Sequence, residues 1–444
     1  MNTPVCDFVN EYENKDSLRL HMPGHKGLDF LGFESKDITE ISGADSLYEA
    51  NGIIKESEKN ASRLFGCDTY YSTEGSSQCI RAMVYLSCIH AKSLGRKPLI
   101  AAGRNAHKTF LSACALTDTD VLWLCSKNGG SYLSCELTAD EIEKSLLASG
   151  EIPVAVYLTS PDYLGNMPDI KAISSICKKH GMLLLIDNAH GAYLEFLEES
   201  LHPIKLGADI CCDSAHKTLP VLTGGAYLHI SPYSADRFAD KVKSALALFG
   251  STSPSYLILQ SLDAANKYIA DGYKEKLSAF IKTVNILKKK LADNGYILYG
   301  NEPLKITIKA KEFGYLGFEL AEILEEKNIF CEFADKDYIV FMLTPEIADN
   351  IKKLENALLS IPKKDKITET PPEFSLPEKA MSIREAVFCE SETLPACECE
   401  GRILATANVS CPPAVPIAVC GEKIDKKAVE CFGYYGIENI NVIK

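Results

Sequence analysis

Short apolar runs alternate with longer stretches of helical period along most of this chain. Leu183–Ile186 and Ala208–Cys212 read as buried strands. So do PLIAAG over 98–103, VLWLC over 121–125, VAVYLTSP over 154–161 and GGAYLHI over 224–230, with Trp123 expected in the core. Between them, residues 75–90 and 169–180 place apolar side chains at helical spacing. Strand, helix, strand, helix in succession predicts an α/β fold: a mostly parallel sheet with helices on both faces.

The flanks extend the pattern. Residues 1–20 read as a short helix with little core of its own, and Ile53, Ile54, Ala61, Leu64 and Phe65 give the later part of 36–66 a partial apolar helical face. A long helix follows Pro254, and 272–295 is amphipathic. KITIKA, a helix over 313–329, the strands FCEFA and YIVFML and a helix over 344–361 make a smaller α/β unit. Residues 362–379 are polar and proline-rich, as a linker is. The expected division is an N-terminal arm (1–50), a large domain (51–270), a small α/β domain (271–365) and a linker with a C-terminal α+β unit (366–444).

Composition narrows the class. The chain has 444 residues, 46% hydrophobic and 24% charged, as a globular protein of two or three domains does. A net charge of −13 argues against nucleic acid or an anionic membrane surface as partner. No apolar run of about 18 residues predicts a membrane span. The 17 cysteines are scattered and the N-terminus is polar and acidic, so reduced thiols in the cytoplasm are expected. Cys397 and Cys399 lack a second ligand pair at zinc spacing, and no metal is expected.

The candidate chemistry lies at strand ends. Asp187 follows the 183–186 strand, with His190 and Gly191 after it. The 208–212 strand leads into Ser214, His216 and Lys217. An acid and a lysine at the ends of neighbouring parallel strands would share the crevice where open α/β sheets bind ligands. Pyridoxal 5'-phosphate chemistry needs such a pair: an amine to form a Schiff base, and a carboxylate to keep the pyridine nitrogen protonated. Taken alone, Asp187 could equally cap a helix and Lys217 lie on the surface. Gly75, Ser76 and Ser77 open a helix, which suits a phosphate or an ordinary serine cap. His107, past the 98–103 strand, could stack on a flat ring or cap a helix. HMPGHKG, residues 21–27, is irregular and suits a site lining; Pro23 and Gly24 break any helix that would align His21 and His25 on a metal.

With these residues laid out, the chain resembles the Orn/Lys/Arg decarboxylase family of pyridoxal-phosphate enzymes, in a short form without an N-terminal receiver-like domain. The resemblance rests on HMPGHKG (21–27), the GSS turn (75–77), RNAHK (104–108), TSPDYLG (159–165), DNAHG (187–191), SAHKTLP (214–220), TSPSY (252–256) and, more loosely, 401–422. It implies the fold type I (aspartate aminotransferase-like) large domain. It implies Lys217 as Schiff-base lysine, Asp187 at the pyridine nitrogen with His190 beside it, and His107 stacked on the ring. Ser76, Ser77, Ser214 and His216 then serve the phosphate and flank the lysine, with proton return from Lys217 or His216. Thr252 and Ser253 would reach a phosphate across the interface of a homodimer or larger assembly. The implied reaction is decarboxylation of arginine, lysine or ornithine to agmatine or a diamine. Another reaction of the same fold, transamination or side-chain cleavage, and a non-catalytic cofactor-binding relative are the alternatives. Asp45, Glu49 and Glu74 are candidates for the substrate's distal cation. The chain departs from the family at Asn188, where an acid is usual, at Glu74, and at Cys411 and Ala414 in CPPAVP.

Overall fold

The computed structural model describes residues 1–126, 131–373, 376–406 and 415–444; Cys411 and Ala414 lie outside them. Seven strands in chain order carry the candidate residues: β1 Asp68–Ser72, β2 Leu99–Gly103, β3 Asp120–Leu124, β4 Ala155–Thr159, β5 Leu183–Asp187, β6 Ile210–Asp213 and β7 Ala226–Ile230. The chain forms two compact units, 1–90 with 183–275 and 91–182 with 276–444.

In the first unit the strand order is β1-β7-β6-β5. β5 and β6 are parallel, with Asp187 opposite Cys212. β7 runs antiparallel to both β6 and β1. Every residue of β5, β6 and β7 is buried, which is why these strands read as continuous apolar runs rather than alternating ones. β1 was not legible in the sequence. DTYYS is short and polar at both ends, and it is buried because β7 pairs along its whole length.

Helix Pro4–Glu13 is half the length the pattern suggests. Its first amides, of Val5 and Cys6, donate to the Asp263 carboxylate at 2.9 and 3.0 Å, which satisfies donors a helix start leaves open. Beyond it Leu18, Leu20, Leu28, Phe30 and Leu31 are exposed. In the HMPGHKG loop, His21 pairs with Tyr12 at 2.7 Å and His25 with Asp37 at 3.2 Å, so the rings have separate partners.

In the second unit β2 pairs in parallel with β3 and β4. Helices Lys108–Thr117, Ala139–Ser149 and Ile170–Lys179 belong to it, and Phe110 stacks on Tyr157 with centroids 4.2 Å apart. Trp123 is not a core residue as expected: it is half-buried, with the Arg104 guanidinium 4.9 Å over its ring. An antiparallel four-stranded sheet holds Phe333–Ala334, Tyr338–Met342, Lys305–Lys309 and Leu298–Tyr299 in that order. The C-terminal part is α+β: helices Ile383–Phe388 and Lys426–Tyr434, with Ser391–Pro395 antiparallel to Asn439–Ile443.

Candidate active site

The site is built at the ends of β5 and β6. Asp187 closes β5 and is 3% exposed. Its carboxylate accepts from the Ala189 amide at 3.2 Å and from the Cys212 thiol at 3.7 Å. Past β6 the chain makes one short helical turn, Ala215–Thr218, which carries Lys217. The Lys217 amine lies 2.9 Å from His190 Nε2. An ammonium can only donate, so His190 presents a bare Nε2 to it. His216 turns the other way: its Nδ1 lies 2.9 Å from the Gly225 carbonyl, to which it can only donate.

The Gly75–Ser93 helix begins beside this lysine turn. Gly75 has φ +71°, a left-handed conformation that favours glycine. Its amide donates to the Gly224 carbonyl at 2.7 Å. The Ser214 hydroxyl donates to the Ser76 hydroxyl at 2.8 Å, so the lysine turn and the helix start are bonded directly. The helix is 19 residues long, and its first turn presents amides and the positive dipole end. Ser76 and Ser77 are half-buried there.

Thr252 and Ser253 are exposed. Their loop is fixed at its base, because the Ser251 amide donates to the Glu74 carboxylate and the Ser253 amide to Ser251 Oγ at 3.1 Å. Asp45 is occupied by backbone: its two oxygens accept from the amides of Ser46, Asn51, Gly52, Ile54 and Lys55. A carboxylate so saturated is a turn and helix cap, not a receptor for a substrate cation. His107 belongs to the second unit. It caps helix Lys108–Thr117, with Nδ1 accepting from the Thr109 amide at 3.2 Å. That is the capping alternative seen in the sequence, and it fixes the ring's orientation.

Sequence reasoning missed the residues behind Asp187. Asp213, the last residue of β6, is fully buried. Its Oδ1 accepts from Asn188 Nδ2 at 2.7 Å, and its Oδ2 faces His202 Nε2 and His229 Nε2, each at 3.1 Å. Two histidines and an acid scattered over 28 positions carry no motif, since only β6–β7 pairing, which sets Cys211 opposite His229, collects them.

Residues 3–310 match the family model described as Orn/Lys/Arg decarboxylase, major domain. The chain belongs to this family. It is 29% identical to the uncharacterized protein YaaO of Bacillus subtilis, over 97% of this chain and 93% of that one. It is 28% identical to arginine decarboxylase of the same species, over 96% and 92%. Among solved structures, lysine decarboxylase A from Pseudomonas aeruginosa matches with a TM-score of 0.81 at 18% identity, over 99% of this chain and 80% of that one. Likeness at that identity speaks for the fold, which is fold type I of the pyridoxal-phosphate enzymes.

Proposed function

We propose that this member is a pyridoxal-phosphate-dependent decarboxylase of a basic L-amino acid, with arginine first among the substrates to test. The observation that carries the reading is the Lys217 turn hydrogen-bonded to the start of the 75–93 helix, with buried Asp187 at the end of the strand paired beside it. Arginine comes first because near full-length relatives are named arginine decarboxylase.

The residues fit the cofactor on three counts. The Gly75 turn opens on free space, since a Cβ there would meet only His216 Cε1, at 4.0 Å. Helix amides and two serine hydroxyls suit a phosphate dianion. A buried carboxylate and a partly buried amine are the donor set for a pyridinium and an aldehyde. When bound, the cofactor supplies an electron sink for the charge left on Cα as CO2 departs.

The chain's own residues do the rest. Lys217 would hold the cofactor through its amine. His190 Nε2, 2.9 Å away, accepts a hydrogen bond from the lysine amine and orients it. Asp187, nearly excluded from water, would keep the pyridine nitrogen protonated, since low dielectric strengthens such an ion pair. His216 is steered by Gly225, which leaves Nε2 as its acceptor nitrogen. Lys217, or His216 through Nε2, returns the proton to Cα. The family resemblance gives His107 the stacking role on the cofactor ring, and its Nδ1 caps a helix. Thr252 and Ser253, exposed in one chain, suit the phosphate of a second subunit in a homodimer.

The test is CO2 release from arginine, lysine and ornithine with the cofactor added. Agmatine, cadaverine or putrescine is expected in equal amount. Keto-acid formation without CO2 would replace this reading with transamination. Lys217→Ala is expected to abolish both turnover and the visible absorbance of bound cofactor; retention of either by a folded variant rejects the assignment of Lys217.

A further inference from the structure

We infer that Asp213 is a second buried carboxylate of the cofactor site, a positioning residue that acts through Asn188 on Asp187. This rests on the cofactor reading above and extends it to Asp213, which stands just outside the SAHKTLP motif.

Asp213 and Asn188 are both fully buried. Asn188 follows Asp187 directly, and its amide donates to the Cys212 carbonyl at 2.9 Å. Its side chain crosses to Asp213 Oδ1 at 2.7 Å. The strand end that bears Asp187 is thus tied to β6 by one backbone and one side-chain bond. Asn188 Oδ1 is buried and without a hydrogen-bond partner, and a Cβ on Gly191 would stand 2.0 Å from it. The amide is therefore oriented by its bond to Asp213 and by the close approach of Gly191, not by an acceptor contact of its own.

The other side of Asp213 is equally fixed. His202 and His229 converge on Oδ2. His229 Nδ1 is 3.0 Å from the Thr69 hydroxyl, and Phe65 covers both rings, with centroids 4.6 Å from His229 and 5.6 Å from His202. Burial alone would raise the Asp213 carboxyl, but the two histidines hold it far below the usual carboxylate range. Burial pushes His229 down, against the pull of Asp213. His202 Nδ1 is buried without a hydrogen-bond partner. An ionised Asp213 places a buried carboxylate against Asn188, the residue that follows Asp187. The family's usual acid at position 188 is absent, and this charge stands one hydrogen bond away from that place.

A fixed negative charge there stabilises a protonated cofactor. Metal binding is the competing use of the same atoms, because ligand atoms of His202, Cys211 and Asp213 lie within 4.8 Å of one another. Burial and the neighbouring Asp213 raise the Cys211 thiol well above its ordinary value, and the hydrogen bonds to Asn188 and the histidines already occupy both Asp213 oxygens.

The experiment titrates the visible absorbance of the cofactor-loaded protein with pH, alongside kcat, KM and thermal midpoint. Asp213→Asn should lower the pKa of the protonated visible band by about one unit. It should reduce kcat about tenfold with KM little changed. The double variant Asn188→Asp/Asp213→Asn, which moves the charge across the hydrogen bond, should recover both. Asn188→Ala, which cuts the link and spares Asp213 and its histidines, should shift the band in the same direction as Asp213→Asn and covers the case in which that variant does not fold. An unchanged band in either folded single variant, or a double variant no better than Asp213→Asn, overturns the inference. So does one equivalent of transition metal in the purified wild type. A wild type with no visible band defeats the cofactor reading itself, a result distinct from a wild-type band that these variants leave alone.

Discussion

At the residue scale, the site is a set of short-range choices whose reasons are visible. Gly191 is glycine because Asn188 Oδ1 occupies the place of a Cβ, 2.0 Å away. Gly191→Ala must displace the Asn188 side chain, and through it the end of β5. We expect it to cost about 1–3 kcal/mol in denaturant unfolding and to weaken cofactor retention measured by dialysis. A variant as stable as the wild type with full retention would mean that Asn188 moves aside freely. The motif DNAHG was legible as a string, but the reason for its glycine was not. That reason is a contact with a buried amide held from the neighbouring strand.

At the element scale, strand ends and helix starts are tied by buried polar pairs. Arg104, just past β2, makes a 2.7 Å ion pair with Glu422, and both are nearly inaccessible. Glu422 Oε2 also accepts from the Val419 amide at 2.7 Å. RNAHK and the GE at 421–422 thus meet, although 318 residues separate the two charges. Glu422→Gln leaves a guanidinium buried without its counter-charge, which costs about 3 kcal/mol; chemical denaturation should show the loss. A loss within error would mean that water reaches Arg104. Helix positions came through well from periodicity where an apolar face was long, as in Ile170–Lys179. Helix Ala139–Ser149 escaped because its buried face is two residues, Ile142 and Leu146. Its start is marked instead by a capping box between Thr138 and Glu141.

At the scale of the whole molecule, the buried cluster sets a response to acid. The Asp213 carboxyl would be raised by burial but is held low by His202 and His229. The unfolded chain therefore takes up that proton first, and the stability it contributes is lost progressively as pH falls below about 4. His229 is lowered by burial, so unfolded chains bind its proton first below about pH 6.5, and stability falls there as well. The thermal midpoint should thus decline in two stages on acidification, and His229→Gln should remove the earlier one. A flat midpoint from neutral pH down to about 5 would mean that His229 takes up its proton as readily in the folded protein as in the unfolded chain. No helix among the described residues is long and apolar enough to cross a membrane.

The sequence alone determined the alternation of strands and helices, because burial on both faces leaves uninterrupted apolar runs between helical periods. It marked the candidate residues as well, because the lysine and the acid at the ends of β6 and β5 and the glycine-serine turn after β1 are local strings. Tertiary structure decided what those strings touch. The placing of β7 between β1 and β6 and the joining of His202 and His229 on Asp213 depend on pairings between separate segments. Such pairings are set by packing of the whole sheet, and a one-dimensional period carries no trace of them.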